Sequence, residues 1–316
     1  MICFSKWVMY VMAHACANYF CRQHMQRTTK AHLAVMGANL LFGVNYSIVK
    51  MLTPALMGSF ALNVVRIVGS VLLFWVLFLF KPVRAGIDKK DLPRFLLCAI
   101  CGVVINQIFF IKGLSLTSSI HGSLLALGSP IFITVAAAWL LHEPFTRNKG
   151  IGLVLGIAGA CLLVLSRSGQ KEGSQMLLGD IMIVINSISY ALYFVWVRPL
   201  MEKYHPIQVV RWVFTLGMLF LVPIGFSDFA QTNFAAMPAT GWMAMFFVII
   251  GGTFLPYLFN VFGIKHLGPG ITGSYIYTQP FFAAIIGVLF LNEHMGWQQL
   301  LAGAMIASGV LIVNRK

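Results

Sequence analysis

The sequence predicts an all-α integral membrane protein: ten transmembrane helices arranged as two inverted five-helix repeats. Three observations carry that expectation. The 316 residues are 59% hydrophobic and 9% charged, with a mean hydropathy of +0.86, a balance that suits lipid and not water. Ten apolar runs approach the ~20 residues that a bilayer-spanning helix needs. The stretch from Gly102 to Gly159 returns, without a gap, 150 positions later.

Laid over 252–309, that stretch matches at Gly102/Gly252, Phe109/Phe259, Gly113/Gly263, Pro130/Pro280, Phe132/Phe282, Leu141/Leu291, Glu143/Glu293 and Gly159/Gly309. The duplication reaches further back, because Val64-Val65-Arg66 reappears as Val209-Val210-Arg211 and Lys50 has a counterpart in Arg198. A repeat of this length fixes the architecture in which every single residue is read.

In chain order, the runs are 31–50, 60–80, 93–112, 119–141 and 149–166 in a first repeat (residues 31–167), then 177–198, 207–225, 241–262, 271–291 and 297–313 in a second (177–315). Runs this long without polar alternation fit only helices in lipid, which excludes strands. Span 5 carries Gly152, Gly156 and Ala160 four residues apart, a stripe that lets helices pack closely and supplies no chemistry. Residues 1–24 hold a short apolar run and Ala13-x-Ala15, but His14 interrupts it and it is too short to span. The expectation is a start codon placed too early, with the working chain beginning near Met25 and no function in the extension.

Orientation follows from the basic residues. With the amino terminus in the cytosol, cytosolic segments hold sixteen of the 22 Lys and Arg, including Lys81, Arg84, Lys89, Lys90 and Arg94 in one loop. The outer loops and helix ends hold Lys50, Lys112, Arg167 and Lys171, while Arg66 and Arg211 lie within spans. Five spans per repeat is an odd number, so the second repeat enters the membrane from the opposite face. Loop 81–94 is accordingly basic, and its counterpart 226–240 has no Lys or Arg. Both termini are expected in the cytosol and the chain in the cytoplasmic (inner) membrane. The +14 charge thus reads as topology and not as a nucleic-acid surface. Cys98 and Cys101 form a C-x-x-C inside an apolar run, where thiols behave as small buried hydrophobes and not as a metal site.

Phe42-Gly43-Val44-Asn45 leading to Lys50, Arg66 opening span 2, the run Gly113 to Pro130, and the Glu143 and Glu293 that close spans 4 and 9 together resemble an EamA-type member of the drug/metabolite transporter superfamily. The resemblance covers residues 31–315 and is specific for fold but poor for substrate. It implies that spans 1, 3, 4, 6, 8 and 9 surround a central path and that spans 5 and 10 pack behind them. Inverted repeats independently place a binding site near the midplane at the pseudo-twofold.

Polar stripes at helical spacing give the candidate path residues. They are Asn39 and Tyr46 in span 1, Asn106 in span 3, His121 near the outer end of span 4, Tyr190 and Tyr193 in span 6, Asn260 in span 8, and Tyr275 and Gln279 in span 9. Such groups also glue helices together, so either role is open to each. Inverted symmetry gives two candidate gates: Lys50 with Glu293 at the outer mouth and Arg198 with Glu143 at the inner one. No carboxylate lies in the middle third of any span. That disfavours export of lipophilic cations, which asks for a buried acid.

An intramembrane enzyme finds little support. His142-Glu143 begins like a metalloprotease helix, but Thr146 stands where the second zinc ligand belongs, and G-x-S-x-G is absent. No catalytic residues, metal or cofactor are expected. The expectation is a secondary transporter moving a small neutral, zwitterionic or anionic metabolite, amino-acid-like and in the export direction, by alternating access. A passive channel or membrane scaffold is the alternative. The partners are a small-molecule substrate and the lipid bilayer, without nucleic acid and with a homodimer left open.

Overall fold

The computed structural model describes residues 28–80, 86–140, 146–165, 173–291 and 296–313. Among these there is no strand. The helices are α1 (Thr28–Leu52), α2 (Ser59–Phe80), α3 (Lys89–Leu116), α4 (His121–Leu140), α5 (Arg147–Leu165), α6 (Gly173–Lys203), α7 (Pro206–Gln231), α8 (Ala239–Gly268), α9 (Gln279–Leu291) and α10 (Trp297–Val313). By length and composition, seven of them (α1 to α4 and α6 to α8) can cross a membrane.

Helix α5 is 19 residues long and α10 is 17. The run expected at 271–291 is divided by a 3-10 segment, Tyr275–Thr278, ahead of α9. Between α8 and that segment the chain turns at Gly268, whose φ of 82° is open to glycine and strained for other residues. Helices α6 and α7 instead outrun their expected ends at 198 and 225. Each continues through an internal proline, Pro199 and Pro223, which removes one helical hydrogen bond without stopping the helix.

Both repeats contain the same departure from α geometry. Helix α3 widens into a π turn over Ile100–Ile105, and α8 does so over Ile250–Phe254, so Gly102 and Gly252 occupy equivalent places. A π turn loosens the carbonyl ladder and leaves acceptors for outside donors. Ser189 on α6 donates to the Cys101 carbonyl, Tyr257 to that of Gly102 at 3.1 Å, and Arg66 Nη2 to that of Gly252 at 3.2 Å.

The repeats interlock at these glycines. A Cβ on Gly102 would stand 2.6 Å from Tyr193 Cγ on α6, and one on Gly252 would stand 2.7 Å from Asn45 Cγ on α1. Asn45 and Tyr193 each lie five residues before the equivalent Lys50 and Arg198. Each repeat's first helix therefore packs on the third helix of the other. Helices α5 and α10 lie against one another through the expected glycine stripe, with the Gly309 position 2.6 Å from the Gly152 carbonyl for an added Cβ. Cys98 and Cys101 are buried free thiols. Large apolar side chains such as Leu72, Leu79, Leu219, Phe246 and Phe281 are exposed on the outside of the bundle, which is where lipid takes the place of water.

Candidate functional site

A cavity of about 60 Å³ lies where the two repeats meet. Side chains from α1 (Phe42, Asn45, Tyr46), α2 (Arg66), α3 (Asn106, Gln107, Phe110), α4 (Ala126, Ser129), α6 (Asn186, Tyr190), α8 (Tyr257), the 3-10 segment (Ile276) and the start of α9 (Gln279) line it. Of the residues singled out by polar stripes, Tyr46, Asn106, Tyr190 and Gln279 border this cavity.

Their geometry is held by bonds between helices. Tyr46 donates to Gln279 Oε1 at 3.4 Å, and Gln279 Nε2 donates to Asn39 Oδ1 at 2.7 Å. Asn39 thus stands one layer behind the wall, with its own amide nitrogen on the Val35 carbonyl at 2.8 Å. Tyr257 also donates to Asn106 Oδ1 at 3.2 Å, and Asn186 Nδ2 to the Asn106 carbonyl at 2.7 Å. Asn260 donates to the Tyr190 hydroxyl at 3.2 Å, and Tyr193 stacks on Tyr190 with ring centres 6.0 Å apart. Both lie behind Tyr190. Tyr275 is elsewhere, its hydroxyl 2.8 Å from His32 Nδ1 on α1.

His121 is also away from the cavity. It is 3% exposed, with Nδ1 3.6 Å from Asp180 Oδ2, while Thr117 donates to Asp180 Oδ1 at 2.6 Å. Asp180 itself is fully buried at the start of α6.

Three wall residues carry most of the chemistry that stripe reasoning passed over. Arg66 is 2% exposed. Its Nε donates to Thr253 Oγ1 at 2.9 Å and its Nη2 to Gly252, and both acceptors are neutral. Among the described residues its Nη1 has no hydrogen-bond partner, nor does either polar atom of the Asn45 amide. Tyr257 bridges α8 to α3. Arg66 is marked in the sequence by the repeat, by its place within a span and by the family resemblance, Asn45 by the resemblance alone, and Tyr257 gave no signal in its apolar run. Arg211, the repeat counterpart of Arg66, has a different fate: its guanidinium lies 4.6 Å from the Trp75 ring centre and 3.9 Å from that of Phe78, a cation–π arrangement.

At the expected gates, Lys50 Nζ donates to the carbonyls of Thr117 (2.6 Å), Ser115 (3.3 Å) and Leu114 (3.4 Å), capping the negative end of α3. Arg198 is exposed near the end of α6. Glu143 and Glu293 lie outside the described residues, as do His142 and the extension 1–24. Near Arg198, Lys203 pairs with Asp88 at 2.6 Å and Asp91 at 2.5 Å, tying α6 to the start of α3. A second, larger cavity of about 650 Å³ lies against Lys30, His205, Lys265, His266 and apolar residues of α8. Burial holds the His205 imidazole below the usual histidine range, with the Lys265 charge adding to the effect, and His205 accepts from the Ile207 amide.

Long apolar helices surrounding a polar, interlocked cavity define a multi-pass α-helical membrane protein with an internal polar site. Comparison with known proteins specifies it further. The model of the EamA-like transporter family matches residues 29–165 and 177–315, and the chain belongs to that family, within the drug/metabolite transporter superfamily. Its relatives include the uncharacterized transporter YetK of Bacillus subtilis (strain 168), 20% identical over 89% of this chain and 84% of YetK. A probable terminal-alkyne amino-acid exporter of Streptantibioticus cattleyicolor is 23% identical over 72% of this chain and 74% of its own. A solved crystal structure 15% identical in sequence superposes with a TM-score of 0.64, covering 90% of this chain and 96% of that one, and shows the fold alone. The names of family and relatives indicate a transporter of small molecules in a membrane and not an enzyme.

Proposed function

We propose that the chain is a secondary transporter that exports a small neutral, zwitterionic or anionic metabolite, amino-acid-like in kind, across the cytoplasmic membrane by alternating access. The observation that carries this reading is the cavity, whose polar wall is drawn from both repeats and whose flanking helices exchange places between them. A rocking motion of one repeat against the other would expose such a site to each side in turn. The relative whose name denotes an amino-acid exporter supports the substrate class and the direction.

The reading includes ten spans in two inverted repeats, with both termini cytosolic. It includes gates of Lys50 with Glu293 at the outer mouth and Arg198 with Glu143 at the inner one, each formed only when its side is shut. Association into a homodimer is compatible with it. The test is counterflow in proteoliposomes loaded with an amino-acid mixture. A carrier gives trans-stimulated exchange of at least one component, whereas a passive channel gives flux without trans-stimulation and a scaffold gives no flux.

A further inference from the structure

We infer that Arg66 is the anion subsite of the cavity, receiving a carboxylate carried by the substrate. The inference rests on the carrier reading and narrows its substrate class to organic acids, amino acids among them.

A buried guanidinium without opposite charge is among the costliest arrangements in a membrane interior. Among the described residues Arg66 meets no carboxylate, and all eight Asp and Glu of the sequence fall near or beyond the ends of the expected spans. The two nitrogens bonded to Gly252 and Thr253 orient the guanidinium plane without neutralising it. Nη1 remains, and the Asn45 amide beside the same cavity is likewise without a protein partner. One guanidinium N–H and one amide N–H suit a planar, singly charged carboxylate; a dianionic phosphate would ask for further cations. The aromatic rings of Phe42, Phe110, Tyr190 and Tyr257 offer the apolar body of such a molecule a matching surface. Among the described residues that border the larger cavity are Lys30 and Lys265 and no acid, which favours the approach of an anion.

The alternative is a purely positional Arg66, holding the π turn of α8 through Gly252 and Thr253. The two are separated with the purified full chain in lipid nanodiscs, by thermal stabilisation with acid–amide pairs of matched shape. Suitable pairs are benzoate and benzamide, hexanoate and hexanamide, and N-acetylphenylalanine and its amide. For at least one pair, the acid should half-saturate at about a tenfold lower concentration than its amide, the scale of a charge-assisted hydrogen bond. Arg66→Gln should abolish that preference and Arg66→Lys keep part of it. Asn45→Leu, which removes none of the atoms in the Arg66 hydrogen bonds, should weaken it and serves as the second variant if Arg66→Gln does not fold. Equal binding of acid and amide in every pair, absence of binding by every acid, or a preference that survives Arg66→Gln would each overturn the inference. Acid-selective binding without trans-stimulated exchange would instead leave the subsite standing and remove the carrier reading.

Discussion

The Tyr257 hydroxyl donates to the main-chain carbonyl of Gly102 at 3.1 Å, so a side chain of the second repeat closes the opened π turn of the first. Tyr257→Phe removes that donor and leaves the Gly102 carbonyl and Asn106 Oδ1 without it. The expected loss is about 1–3 kcal/mol of stability, the cost of a stranded buried acceptor, seen as a lower melting temperature in detergent. Unchanged melting would mean that the π turn is self-sufficient.

Gly102→Ala and Gly252→Ala should each be destabilising, because the added methyl meets the Tyr193 ring or the Asn45 amide, and overpacking of this kind costs ~1–3 kcal/mol. Gly86→Ala, at a position with nothing within 4 Å, is the control and should melt like the parent protein. Equal melting of all three variants would show that α1 and α6 can withdraw from the glycines at no cost.

Asp180→Asn and Lys203→Ala contrast a buried polar cluster with an exposed one. Asp180, fully buried between Thr117 and His121, should cost ~1–3 kcal/mol when its charge is removed. Lys203, 46% exposed although it pairs with two aspartates, should cost less than Asp180, and less still at high salt. Chemical denaturation at low and high ionic strength measures both, and a larger loss at Lys203 would make the exposed cluster the stronger tie.

Lys50 separates capping from gating. As a cap on the carbonyls of Leu114, Ser115 and Thr117, it should be replaceable by Arg, while Lys50→Met costs ~0.5–2 kcal/mol in melting experiments. As a gate with Glu293, the exchange of Lys50→Glu with Glu293→Lys should restore more transport than either single change. Purely additive losses in that cycle would leave the cap and eliminate the gate.

For topology, reporter fusions at residues 86 and 172 should report cytosol and exterior respectively, as the basic loop 81–94 requires. The same side for both, or swapped sides, would end the inverted-repeat arrangement.

Helix existence was legible because length and hydropathy are local properties: the long runs that became α1 to α4 and α6 to α8 needed no partner to be recognised. The repeat was legible for the same reason. Depth within the bundle was not. Periodicity assigns Asn39, Tyr193 and Asn260 to faces, but whether a side chain reaches the cavity or stops one layer behind it depends on the helix crossing in front. His121 lay on an apolar run with no visible counter-group, since Asp180 is distant in sequence. Arg66, seven residues into α2, reads as a charge near a helix end, and only Thr253 and Gly252 on α8 turn it inward. Tyr257 was hidden because a tyrosine among apolar residues looks like one more aromatic wall.

The divergent fates of Arg66 and Arg211 bear on voltage. Duplication supplied two arginines, but Trp75 and Phe78 seal one of them away, so among the described residues that line the cavity Arg66 alone brings a fixed positive charge. With a carboxylate docked, that charge is matched; with the cavity released, it stands alone. A membrane potential acts on net charge at about 2.3 kcal/mol per elementary charge per 100 mV. For a monoanionic cargo it would bear on the return of the unloaded carrier and leave the loaded crossing electrically silent.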